Sequence, residues 1–184
     1  MAKNTKAWLK NRKVYMHLHL RKDNASDTRR FCRIIAHKAV GLVLGGVGAK
    51  GFAHIGAAQA LYEAGIEIDF LGGTSSGALY GLGMSFADFK FDQIHFLNEK
   101  AVKRKLTSND FTLPLVSMMT GNKFKGYLKE MYQDHDIEDL WINSYCISTN
   151  FSKAHMEVHR SGQLWRKVLA SIGHSWYFPS CGNR

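Results

Sequence analysis

Leu42-Val43-Leu44-Gly45-Gly46-Val47-Gly48-Ala49-Lys50-Gly51-Phe52, followed some twenty residues later by Phe70-Leu71-Gly72-Gly73-Thr74-Ser75-Ser76-Gly77-Ala78, decides the fold. Ala39 to Leu44 is an aliphatic run bounded by glycines, which predicts a strand buried on both faces. It runs straight into a glycine loop. Phe52, Ile55, Ala58, Gln59 and Tyr62 then recur at helical spacing, and Gly65 is placed to end that helix. Ile66 to Leu71 reads as the next strand, and Ala78, Leu79 and Leu82 as the next helix. Strand, helix, strand, helix with short loops is the pattern of a parallel sheet, so the expected class is α/β.

The second junction carries chemistry. Gly73-Thr74-Ser75-Ser76-Gly77 is a G-x-S-x-G sequence between a strand and a helix, the setting of a nucleophile elbow. Such a turn leaves no room for side chains beside the serine. It holds the hydroxyl out of the sheet at a helix amino terminus, where partial positive charge stabilises a developing anion. The bland alternative is a glycine-rich turn with no chemical role. The first junction, Gly46, Val47, Gly48, Ala49, Lys50 and Gly51, offers consecutive backbone amides as an oxyanion hole, with the Lys50 charge nearby. The same residues satisfy G-x-G-x-x-G, and Asp69 stands where a dinucleotide fold places its ribose-binding acid, so a nucleotide-binding module is the alternative. The elbow sequence directly after Asp69 argues against it, since a nucleotide site has no need of one.

Leu42 to Gly56 together with Gly73 to Ala78 resembles the opening of patatin-like phospholipases. Ser117-Met118-Met119-Thr120-Gly121, Ile137-Glu138-Asp139-Leu140-Trp141 and Gly162-Gln163-Leu164-Trp165 are similar to the branch that contains neuropathy target esterase and its bacterial relatives. The likeness covers about residues 14 to 172. It implies a three-layer α/β fold with a mainly parallel central sheet, incomplete at the carboxyl end. It further implies hydrolysis of phospholipid or lysophospholipid acyl esters by a Ser-Asp dyad, without cofactor or metal. Ser75 matches the nucleophile, and Gly46, Gly48 and Gly51 match the oxyanion loop, where Val47 replaces a common glycine.

The dyad aspartate of that family lies in an Asp-Gly-Gly or Asp-Gly-Ala motif, and this sequence contains no Asp-Gly. Asp69 and Asp110 are candidate substitutes, and His54 a candidate triad histidine. Residues 173 to 184 leave the family pattern. Reading the codons of His174 to Asn183 one base later can yield a Pro-Gly-Ile-Phe-Pro segment close to the family's, which suggests a frameshift near Gly173. An uninterrupted reading frame whose codons exclude that segment would overturn the idea. A truncated, catalytically inactive remnant that still binds lipid is therefore the second alternative.

Outward from this centre, residues 1–38 form a basic lead-in and residues 39–184 the patatin-like domain. Met16-His17-Leu18-His19-Leu20 alternates like an edge strand, with His17 and His19 sharing a face as a conceivable but incomplete metal pair. Ser26 is placed to cap a packed helix bearing Phe31, Ile34 and Ile35 and ending near His37. Downstream, helices are expected over Phe89 to Val102, Asn122 to Tyr132 and Gln163 to Ile172. A less regular segment from Lys103 to Met119 separates the first two, and strands are expected over Tyr145 to Asn150 and His155 to His159.

An apolar content of 45% over 184 residues suffices for one packed domain. A net charge of +10 and a pI near 9.6 favour anionic partners. Much of the excess precedes residue 39, where a solvated basic arm is the simplest account. Combined with the likeness above, it suggests a peripheral anionic membrane surface; no nucleic acid is expected. No bilayer-spanning stretch or secretory signal is visible, which suggests a cytoplasmic protein. Cys32, Cys146 and Cys181, odd in number and widely spaced, suggest reduced thiols.

Overall fold

The computed structural model describes residues 1–103 and 122–173. Strands β1 (Gly41–Leu44), β2 (Phe70–Thr74) and β3 (Asn143–Asn150) run parallel, and β4 (His155–His159) returns antiparallel beside β3. Their order is β1-β2-β3-β4, a mainly parallel sheet in an α/β fold. Ser117 to Gly121, Asp110, Cys181 and the segment from His174 onward lie outside the described residues.

Helix α4 (Ser76–Phe86) follows β2 and lies across the sheet, with α7 (Leu164–Ile172) beside it over β3. Alternation along the strands sends Leu44, Leu71, Ser144 and Cys146 under these helices, where all four are buried. Two apolar clusters result. One joins Leu82, Leu128, Tyr132, Cys146, Leu164 and Val168, and draws on α4, α7 and α6 (Asn122–Tyr132). The other joins Leu44, Ile55, Ala58, Leu71, Met84 and Ile94, and adds α3 (Ala53–Glu63) and α5 (Phe91–Lys103). Gly65, at φ 75°, closes α3 in the left-handed conformation that glycine adopts without strain.

Several expectations are corrected. Among the described residues β1 is an edge strand with one covered face, and Val43 on its other face is 65% exposed, so burial on both faces does not hold there. The second strand starts at Phe70 rather than Ile66, because Asp69 and Phe70 both donate their amides to the Val40 carbonyl as the chain enters the sheet. Residues 16–20 form no strand. His17 and His19 instead donate from Nε2 to the Glu138 carbonyl at 3.0 and 2.8 Å, which makes them fasteners rather than a metal pair.

Helix α2 (Ala25–Ile35) is capped by Asn24, whose Oδ1 accepts from the Asp27 amide at 2.9 Å, and not by Ser26. It does not pack through its apolar residues, since Phe31 and Ile35 are 40% and 65% exposed. Charge holds it. Buried Asp27 pairs with Arg21 at 2.7 Å and Arg30 at 2.8 Å, while Arg33 reaches Asp69 at 2.6 Å and Arg29 reaches Glu67 at 2.5 Å. Burial pushes the Asp27 carboxyl up, but the hydrogen bonds from Arg21 and the charge of Arg30 outweigh it and hold the group at about 2. Arg21, Arg30 and Arg33 are thus not part of a solvated arm, whereas Arg29 makes its ion pair on the surface.

Candidate active site

Ser75 joins β2 to α4 with φ 53° and ψ −123°, a backbone state that costs a non-glycine residue about 1–3 kcal/mol. The flanking glycines explain how the turn fits. A Cβ on Gly77 would lie 2.1 Å from the Leu44 carbonyl oxygen, and one on Gly73 would lie 2.4 Å from the Gly77 backbone. The turn is therefore pressed against β1 and against the first turn of its own helix. One hydroxyl pins it from outside. The Ser75 amide donates to Ser171 Oγ at 2.8 Å, and Ser171 in turn donates to the Ile147 carbonyl at 2.6 Å, tying the turn to α7 and β3. Nothing in the sequence marks Ser171, which lies ninety-six positions away in an ordinary amphipathic helix.

The glycine loop lies against the serine. A Cβ on Gly46 would approach Ser75 Cβ to 2.9 Å, and one on Gly51 would meet Ser76 Cβ at 2.8 Å and the Tyr80 ring at 2.6 Å. Gly48 stands at φ 58° and opens a short 3-10 helix, Gly48–Phe52. The amides of Gly48 and Ala49 begin that helix and so have no acceptor within it. The Val47 amide is committed elsewhere: it donates to Ser76 Oγ at 2.9 Å. Lys50 is exposed and does not line the cavity described next.

Ser75 opens onto a cavity of about 460 Å³ bounded by α4, α5 and α6. Gly48, Ala49, Phe52 and Ser76 surround its serine end, and the walls continue through Leu79, Ile94, Phe124 and Tyr127. Gly83 lies farther along α4 and faces Met131 of α6, so the cavity extends about 12 Å from the serine, eight residues at a helical rise. Burial, reinforced by Tyr127, pushes the Tyr80 phenol up to about 12, so it remains a protonated donor in this wall. Among the described residues no carboxylate and no imidazole lines the cavity.

The candidate bases are placed elsewhere. Asp69 is buried at the opposite end of β2, about 20 Å from Ser75 at the rise of a strand, and accepts from Arg33 Nε at 2.9 Å and from the Val40 amide at 2.9 Å. It serves neither as base for Ser75 nor as a ribose acceptor. This removes the nucleotide reading's second element. His54 Nε2 donates to the Gly45 carbonyl at 2.9 Å and so braces the loop entrance. Burial raises the Cys146 thiol to about 12, outside the reactive range, and Cys32 is an exposed free thiol. Among the described residues no helix is long and apolar enough to cross a membrane, and no three His, Cys, Asp or Glu side chains gather to hold a metal.

The fold is α/β, a mainly parallel sheet that carries a strained serine turn and a glycine loop side by side at its carboxyl end. The chain belongs to the patatin-like phospholipase family, whose pattern matches residues 42–180. It is 42% identical over 164 residues to the patatin-like phospholipase domain-containing protein ZK370.4 of Caenorhabditis elegans, a match covering 85% of this chain and 12% of that protein. It is 38% identical over 175 residues to the lysophospholipase NTE1 of Candida glabrata, covering 92% of this chain and 10% of the relative. Patatin-like phospholipase domain-containing protein 6 of Homo sapiens is 37% identical over 164 residues, covering 86% and 12% respectively. The chain thus spans about a tenth of the length of these relatives.

Proposed function

We infer that this chain carries the nucleophile, the oxyanion loop and the acyl cavity of a lipid acyl hydrolase that acts on phospholipid or lysophospholipid esters at a membrane surface. One observation carries the reading: the strained Ser75 turn stands at the mouth of a cavity with predominantly apolar walls, beside the amides of Gly48 and Ala49. In this reading Ser75 Oγ attacks the ester carbonyl carbon, and the oxyanion forms against those two amides. Collapse expels the alcohol, which takes up the serine proton, and water then releases the acyl group as the free acid. Transfer of the serine proton needs a base. The described residues put none beside Ser75, which favours a second reading in which the cavity takes up lipid without turning it over.

The two readings separate with an alkyl fluorophosphonate, which phosphonylates an activated serine and releases fluoride. Labelling of the parent chain and none of Ser75→Ala is the expected result. Folded parent protein that takes up a fluorescent lipid but resists the probe would establish the binding reading instead.

A further inference from the structure

The basic residues that first suggest a membrane surface stand at the wrong end of the molecule to serve the cavity. The amino-terminal segment is fastened beside the start of β3: His17 and His19 bond the Glu138 carbonyl, and Asn143, the first residue of β3, donates to the His17 carbonyl at 2.8 Å. Asn143 is in register with Phe70, the first residue of β2, whereas Ser75 follows the last. A bilayer held by residues 1–13 would therefore lie at the end of the sheet away from Ser75.

The other end carries its own combination of apolar and cationic side chains. Phe52 and Val102, which line the cavity, are also 43% and 60% exposed, so they form its outer lip. Val47, on the loop beside them, is 47% exposed. Phe151, 55% exposed, begins the turn between β3 and β4 and is carried past the level of Ser75 by the last residues of β3. Lys50 and Lys153 are exposed on the same loop and the same turn, and neither forms an ion pair among the described residues. Glu157, near the turn, accepts from Asn150 at 2.6 Å. Exposed aromatic and aliphatic groups interleaved with unpaired lysines match the acyl boundary and the phosphate layer of an anionic bilayer.

We propose that the carboxyl end of the sheet is a bilayer-docking face, on which Phe52, Val102 and Phe151 enter the acyl boundary while Lys50 and Lys153 meet anionic headgroups. Docking in this orientation sets the cavity mouth against the leaflet. The inference rests on the lipid-hydrolase reading for its purpose but not for its test, because binding needs no turnover. Ser75→Ala protein is sedimented with vesicles of phosphatidylcholine containing phosphatidylglycerol, and its partitioning is compared with that of variants made in the same background. Lys50→Gln and Lys153→Gln each weaken partitioning about fivefold, and Phe151→Ser weakens it further, with each variant melting as the parent does. Lys3→Gln, Lys6→Gln and Lys10→Gln together leave it within about twofold, since cationic charges far from the bilayer surface are screened. A parent that does not bind such vesicles, or lysine and phenylalanine variants that bind as the parent does, would overturn the proposal. Failure of fluorophosphonate labelling alone would overturn the hydrolase reading and leave the docking face standing.

Discussion

Individual atoms decide whether the Ser75 turn can exist. Gly77 is required because its missing Cβ would occupy the position of the Leu44 carbonyl, a backbone group of the adjoining strand that cannot swing aside. Gly77→Ala is therefore expected to destabilise the chain by about 3 kcal/mol, the upper range for overpacking a rigid site. Urea unfolding of the two proteins measures it, and equal midpoints would mean that strand and helix can separate without cost. The sequence alone suggests both flanking glycines, because a tight turn needs them wherever it occurs. It gives no hint of the Ser171 hydroxyl that accepts from the Ser75 amide, since that contact depends on how α7 is laid over β3. The strained serine is thus legible from its neighbours in sequence, and its support is not.

At the scale of elements, the same division separates what was read from what was missed. Helix α6 runs over Asn122–Tyr132 as its amphipathic spacing predicts, and β3 and β4 form a hairpin over the two strands expected at Tyr145 to Asn150 and His155 to His159, because each pattern is set by adjacent residues. Helix α2 deceives: its apolar residues suggest a packed face, whereas arginines and carboxylates from Arg21 to Asp88 hold it. Removing the carboxylate at the centre leaves Arg30 buried without its partner, so Asp27→Asn costs about 3 kcal/mol at neutral pH. The pH dependence has a definite sign. Asp27 is held at about 2 in the folded chain, below its ordinary value near 4, so its contribution is complete above pH 4 and fades as pH falls toward 2. Unfolding measured at pH 7 and pH 3 is expected to show the gap between parent and Asp27→Asn shrinking in acid. A gap that stays constant would place the stabilisation in something other than this ion pair.

Across the whole molecule the sheet has unlike ends and unlike faces. Its amino end is fastened by the ion pairs of α2 and by His17 and His19, and its carboxyl end holds the serine, the glycine loop and the cavity lip. One face lies under α4 and α7, and the other bears Val43, Met156 and Val158, each more than 40% exposed. Because Ser75 starts α4 and the cavity follows that helix inward, depth in the cavity and position along α4 are the same coordinate. Gly83 sits at the far part of it, where an added Cβ would stand 3.4 Å from Met131 Cε. Gly83→Leu is expected to slow labelling by a long-chain alkyl fluorophosphonate about tenfold relative to a short-chain one, an effect of the size a few lost methylene contacts produce. Equal slowing of both probes would show that the acyl group lies elsewhere. In the hydrolase reading, the helix that presents the serine is thereby also a ruler, graduated in turns of about 5.4 Å, against which an acyl chain is measured from its ester inward.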